Sequence, residues 1–124
     1  MAIDPAALAQ KGEALLKQFV TKNRLDGALI ASAEGLELVS YFTAELDKDI
    51  LAADFASVLA GVEGLLTDSN KGELSDIIVK GSDGYLAIVS LGDNVVLGVM
   101  APKEQKLGLL IVAVQQLVKQ LKSL

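Results

Sequence analysis

Two stretches of this chain, Tyr85-Leu86-Ala87-Ile88-Val89 and Val95-Val96-Leu97-Gly98-Val99-Met100, are apolar without polar alternation. Successive side chains of a strand point to opposite faces, so a strand with no polar positions needs both faces kept from water. That excludes a sheet with one solvated side and requires helices packed on both faces. The separator between them, Gly92-Asp93, allows only a tight turn, which makes the pair antiparallel. A further strand-like segment precedes them across Gly81-Ser82-Asp83. Residues 73–80, 84–91 and 94–101 therefore read as an antiparallel meander.

The remaining segments supply the covers and the rest of the sheet. Asp4 before Pro5 is a helix start, since the carboxylate accepts from orphan N–H groups and proline is tolerated at the first helical position. Leu8, Gly12, Leu15, Leu16 and Phe19 then share one stripe of a helix that ends near Asn23-Arg24. Gly12 costs that helix about 1 kcal/mol against alanine unless close packing needs the missing side chain. Residues 27–32 and 36–42, joined through Ala33-Glu34-Gly35, read as a β-hairpin. In its second strand Leu36, Leu38 and Ser40 alternate with Glu37 and Val39, which suits a sheet edge with one wetter face.

A second helix, capped by Asp47 and Asp49, carries Leu51, Phe55, Val58, Leu59, Val62, Leu65 and Leu66 as a stripe. Its other positions are small: Ala52, Ala53, Ala56, Ser57, Ala60, Gly61 and Gly64, with only Asp54 and Glu63 charged between Leu51 and Leu66. Two readings stand side by side. The small residues let a second helix approach closely, or the alanines are good helix formers that cover a sheet. Pro102 is expected to open a last helix with Leu107, Leu110, Ile111, Val114, Leu117, Val118 and Leu121 on its apolar stripe. At 124 residues the chain has room for one domain, residues 1–124, of order α-β-β-α-β-β-β-α.

Few chemistries survive the composition. There is no Cys and no His, which removes thiolate nucleophiles, Cys-based zinc sites and the commonest general base. Net charge is -5 and the basic residues are scattered along the sequence, so a phosphate backbone gains little. No G-x-x-x-x-G-K-[ST] loop is present. Asp68, Asn70 and Gly72 resemble a calcium loop only faintly, because the glycine comes one position early and Val79 stands at the bidentate Glu position. Ser32, Ser57 and Ser75 lack a base, and capping accounts for Asp47 and Asp49. No catalytic, cofactor or metal site is expected. The start of the chain lacks a basic, apolar leader, and the longest apolar run, residues 109–114, falls far below the roughly 18 residues of a membrane span. A cytoplasmic protein without direct membrane insertion is the expectation. Apolar residues make up 52% of the chain, more than a domain of this size buries easily, so self-association is also expected.

The order of eight elements, with Asp26-Gly27-Ala28-Leu29-Ile30-Ala31-Ser32-Ala33-Glu34-Gly35-Leu36-Glu37-Leu38 near the start, resembles the Roadblock/dynein light chain family. The likeness is to its short prokaryotic, MglB-like members, and it covers nearly the whole chain, including a small residue at Gly108. It implies an α+β, profilin-like fold: a five-stranded antiparallel sheet in spatial order 2-1-5-4-3, the second helix on one face and the terminal helices on the other. It also implies a homodimer in which third strands pair edge to edge and second helices pack together. The residues so implicated are Leu74, Ile77, Ile78 and Val79 on the strand, and Ala53, Ala56, Ala60 and Gly64 on the helix. Members of the family do not hydrolyse nucleotides; they regulate or scaffold small Ras-like GTPases or act as adaptors in motor complexes. A profilin-like small-molecule sensor, which needs a polar-lined pocket, is the alternative. Arg24 is the only arginine, so a donated catalytic arginine has a single candidate, and its neutral role is a helix-end charge.

Overall fold

The computed structural model describes residues 3–92 and 94–124. Met1, Ala2 and Asp93, the last belonging to the second separator of the meander, lie outside the described residues. The elements are α1 (Pro5–Lys22), β1 (Gly27–Ser32), β2 (Glu37–Phe42), α2 (Lys48–Asp68), β3 (Ile77–Gly81), β4 (Gly84–Gly92), β5 (Val95–Pro102) and α3 (Leu107–Lys122). All strand pairs are antiparallel and the sheet order is β2-β1-β5-β4-β3, as the family resemblance implies.

The unbroken apolar strands are explained by two cores, one on each side of the sheet. Ala28, Ile30, Ala87, Leu91, Leu97 and Val99 point toward α1 and α3 and meet Leu8, Leu16, Val20, Leu110 and Leu117. Their sequence neighbours Leu29, Ala31, Ile88, Val96 and Met100 point the other way and meet Ala52, Phe55 and Leu59 of α2. Both sides of each central strand are thus removed from water, which is the dominant stabilisation available to a chain of this composition.

Local chemistry sets the helix ends. The Asp4 carboxylate accepts from the Ala6 N–H at 3.0 Å, and Asp47 accepts from Asp49 and Ile50 at 3.0 and 3.1 Å. α1 closes with the Leu25 N–H donating to Val20 and the Arg24 N–H to Thr21, and α2 closes likewise, Lys71 to Leu66 and Asn70 to Thr67. Both are Schellman closures, whose turning residue is left-handed; Arg24 and Asn70 accordingly have φ of 55° and 58°. Gly12 lets α1 pack closely against β2. A Cβ there would lie 3.0 Å from Leu8 Cδ1 and 3.3 Å from both methyls of Val39.

Three expectations require correction. The segment 73–80 is a strand only from Ile77, and Leu74 lies in the connection before it, packed beneath the α2-side core. Pro102 does not open the last helix. It ends β5 opposite Gly84, its carbonyl accepts from the Gln105 N–H to make a turn, and the helix begins at Leu107 after Lys106. Proline lacks a donor and has a fixed φ, properties that suit a strand end as well as a helix start. In β2 the simple alternation is broken by a bulge. Ile30 pairs with Val39 and Ala31 with Glu37, so Leu38 is the extra residue. Val39 turns inward onto Gly12, and Leu36 and Leu38 are left exposed. Gly108, the small residue of α3, has open space around its Cβ position.

Candidate interaction surface

The eight residues expected at an interface divide into those the protomer uses and those it leaves outside. Ile77 and Leu74 pack against the α2-side core and Ile78 against the α1/α3-side core, all three partly buried. Val79 is exposed. The free edge of β3 is therefore chiefly backbone, with Val79 beside it. On α2, Ala53, Ala60 and Gly64 are exposed. Ala56 is not: it is 6% exposed and belongs, with Ala52, to the side that covers the sheet. The covering reading holds for Ala52 and Ala56, whereas Ala60, Gly61 and Gly64 face away from the sheet and Ala53 lies beside Gly35 of the β1–β2 turn.

The outward side of α2 is more apolar than the small residues alone indicate. Ile50 is 59% exposed and Leu65 65% exposed, and Val58 is exposed as well. A Cβ at Gly61 or Gly64 would meet nothing within 4 Å. Helical spacing is the signal that could have revealed this. The stripe Val58, Leu65 and Ile50 lies about half a turn from Ala52, Ala56 and Leu59, too far round to reach the same sheet. Among the described residues α2 is also the one helix long and apolar enough to cross a membrane, with a mean hydropathy of 1.6 over an 18-residue window of which 22% is buried. A search for uninterrupted apolar runs misses it because Asp54 and Glu63 break the run while the alanines keep the average high. In the fold it lies on the sheet, where its inner side seals Leu29, Ile88, Val96 and Met100.

The two sheet edges differ in how they meet solvent. β2 carries the bulge at Leu38, and Glu37 there accepts from the Ser40 hydroxyl at 2.7 Å and lies 3.9 Å from Lys48 Nζ. Bulges and charged residues are devices that discourage edge pairing. β3 pairs with β4 in regular register from Ile77 to Gly81 without a bulge, and the exposed Lys80 is the one charge it carries. Its free edge stands on the same sheet as the apolar outer side of α2.

Residues weighed for chemistry are occupied locally. The Ser57 hydroxyl donates to the Ala53 carbonyl at 2.9 Å, and the Ser32 hydroxyl accepts from the Leu36 N–H at 3.2 Å. Asn70 and Gly72 both have positive φ and shape the exit from α2. Among the described residues no polar or charged side chain is buried. A groove of about 470 Å³ runs between α3 and β4, with Ala87, Val89, Ile111 and Val114 in its walls and Ser75, Asp76 and Lys119 among its polar contributors.

The Roadblock/LC7 domain family matches residues 11–101. No curated protein is a significant match in sequence. In structure the chain is similar to Myxococcus xanthus MglB, with 20% identity and a TM-score of 0.85 over 92% of this chain and 86% of that one. It is similar also to the gliding protein MglB of Thermus thermophilus, with 15% identity and a TM-score of 0.83 over 99% and 92%. Acanthamoeba castellanii profilin IB shares the architecture at 11% identity and a TM-score of 0.65 over 90% and 96%. A family match spanning the hairpin, α2 and the meander, on a sheet ordered β2-β1-β5-β4-β3 between α2 and the terminal helices, makes this chain a member of the Roadblock/LC7 domain family.

Proposed function

We propose that the protein is a non-enzymatic, homodimeric interaction module of the cytoplasm that binds a small Ras-like GTPase and regulates or scaffolds it. The observation that carries this reading is the pairing of a bulge-free β3 edge, charged only at Lys80, with an α2 whose outer side carries small and apolar residues. Among the described residues no polar side chain is buried, which favours an interaction module over a small-molecule sensor, whose ligand needs convergent polar groups. A motor-complex adaptor would use the same surface without altering nucleotide turnover. The deciding experiment is recovery of partners from native lysate with the wild-type protein, followed by GTP turnover of any recovered GTPase. A GTPase whose turnover changes supports regulation; one that binds with unchanged turnover supports scaffolding. Recovery of motor subunits with no GTPase refutes the proposal.

The dimer contact on α2 has a test in which protomer and dimer respond oppositely. Gly64→Leu removes a helical glycine, worth up to about 1 kcal/mol to the isolated helix. It also adds a bulky side chain to an outer face where a second helix is to approach closely. The expected result is an unchanged or higher thermal stability of the protomer and a dimer dissociation constant raised about tenfold or more, read by sedimentation. An unchanged constant removes α2 from the interface.

Any effect on a GTPase is expected without a donated arginine. Arg24 is exposed at the C-terminal end of α1, where the helix dipole favours a cation, and that accounts for its charge. Lysine lacks the planar fork that bridges two phosphoryl oxygens. Arg24→Ala at saturating concentration should leave stimulated hydrolysis within about threefold of wild type, whereas removal of an arginine finger costs about 10³ or more. A loss of that size in a variant that still dimerises and binds identifies Arg24 as a finger.

A further inference from the structure

We propose that the outer surface of α1 and α3 docks on an anionic lipid bilayer. The basic residues that are scattered along the sequence are gathered by the fold. Residues 5–24 and 103–122 hold eight of the eleven basic residues, Lys11, Lys17, Lys22, Arg24, Lys103, Lys106, Lys119 and Lys122, and only two of the sixteen acidic ones. These residues form α1, α3 and their adjoining turns, which share one side of the sheet. Residues 34–70, which form the β1–β2 turn, β2 and α2, hold eight acidic residues and one lysine. The molecule is therefore bipolar in charge across its sheet, although its net charge is -5.

The basic side also carries apolar side chains that the core does not use. Leu109 is 61% exposed and Val112 51% exposed. Both line one shallow depression together with Lys22 and Arg24, at the place where the end of α1 meets α3. Aliphatic side chains framed by cations fit the boundary between anionic headgroups and acyl chains. Seven of the eight cations are lysines, which act as point charges on flexible stems and suit a diffuse, flat layer of negative charge more than a fixed pattern of acceptors. Nucleic acid offers no apolar layer for Leu109 and Val112, and the described exposed residues of this side include no aromatic for base stacking. Acids are few on this side: Asp4 at the start of α1, Glu13 on α1, Glu104 in the turn before α3, and Asp76 across the groove that Lys119 lines.

The bilayer would be met by adsorption, with no helix crossing it. The acidic α2 side would be repelled by the same lipids, which sets the orientation: α2 and its outer face point into solution. The face is complete on one protomer, so the inference stands without the dimer. An antiparallel β3–β3 contact would relate the copies by a two-fold axis normal to the sheet and place both basic faces on the same side.

The test is co-sedimentation of the full chain with vesicles of phosphatidylcholine alone, or containing about 30% phosphatidylserine, at low and high salt. Binding to the anionic vesicles is expected to be at least about tenfold tighter than to neutral ones and to be lost as salt rises. Two double variants change net charge equally: Lys106→Glu with Lys119→Glu on the basic side, and Lys48→Glu with Lys71→Glu on the α2 side. The first should lose about tenfold or more in binding and the second less than about threefold, each variant being checked for native far-ultraviolet dichroism. Leu109→Ser, at an exposed position, should weaken binding several-fold without altering the salt dependence. Equal binding to neutral and anionic vesicles, no binding at low salt, or equal losses in the two double variants overturns the proposal. So does equal or tighter retention by duplex DNA or polyglutamate at the same concentration of negative charge.

Discussion

Gly98→Val should destabilise the protein by about 3 kcal/mol or more, the upper part of the range for overpacking a closed core. Gly98 lies mid-strand in β5, paired with Leu29 on one side and Ile88 on the other. The space its side chain would occupy is filled by Phe55 of α2. A Cβ built on Gly98 would fall 2.5 to 2.6 Å from three carbons of that ring. The ring cannot swing away cheaply, because it is buried among Leu29, Ile88, Val96 and Met100. Glycine ordinarily weakens a strand interior, and here the aromatic ring supplies the packing that the strand residue lacks. Phe55→Ala should cost about 3–5 kcal/mol by leaving a cavity. In the double variant the valine branches enter the void, so the combined loss should fall short of the sum by about 1–3 kcal/mol. Urea denaturation at one fixed protein concentration measures all three, since dimerisation would make apparent stability concentration-dependent. Additive losses would show that Gly98 and Phe55 are not packed together.

That contact illustrates where a sequence stops being informative. The apolar runs in β4 and β5 and the stripes in α1 and α3 are periodic, and they constrain the layers before any coordinates exist. Gly98 within an apolar run gives no indication that a phenylalanine more than forty residues earlier stands over it. Gly12 is a partial exception, because its cost in a helix already demands a packing reason, though not the identity of Val39. The bulge at Leu38 is invisible because one extra residue inverts an alternation that reads plausibly either way. Pro102 satisfies the rules for two different ends, and only the pairing with Gly84 decides between them. The outer face of α2 is legible as an excess of small residues but not as a surface, since Ala56 and Ala60 differ only in angle around the helix. Charge segregation is the least legible feature. Lys11, Lys17 and Lys22 lie some ninety residues from Lys103, Lys106 and Lys119, and only the packing of α1 and α3 on one face of the sheet brings those segments together.

Ile78→Pro should abolish dimerisation while leaving the protomer folded. Gly81 and Gly84 flank the two-residue turn of the β3–β4 hairpin and face each other in register. The pair that closes such a turn is hydrogen-bonded, and bonding alternates along an antiparallel ladder. Val79 and Ile77 therefore exchange bonds with β4, and the N–H and C=O of Ile78 and Lys80 point to the open edge. Proline at position 78 removes a donor that β4 does not use, and proline is tolerated on a strand edge whose N–H faces outward. The Ile78 side chain is only partly buried, so the lost packing is modest compared with a central strand residue. In an antiparallel β3–β3 ladder the same donor is lost from both copies, and each ring obstructs the approach of the opposing strand. The dimer dissociation constant should rise by at least about a hundredfold, equivalent to roughly 3 kcal/mol, as expected when a pair of symmetric hydrogen bonds is replaced by steric obstruction. The control is Ile77→Pro, which removes a donor that β4 does use and should unfold the hairpin instead. Sedimentation equilibrium with far-ultraviolet dichroism separates the outcomes. A folded dimer of unchanged affinity in the Ile78→Pro variant would place the interface somewhere other than the β3 edge.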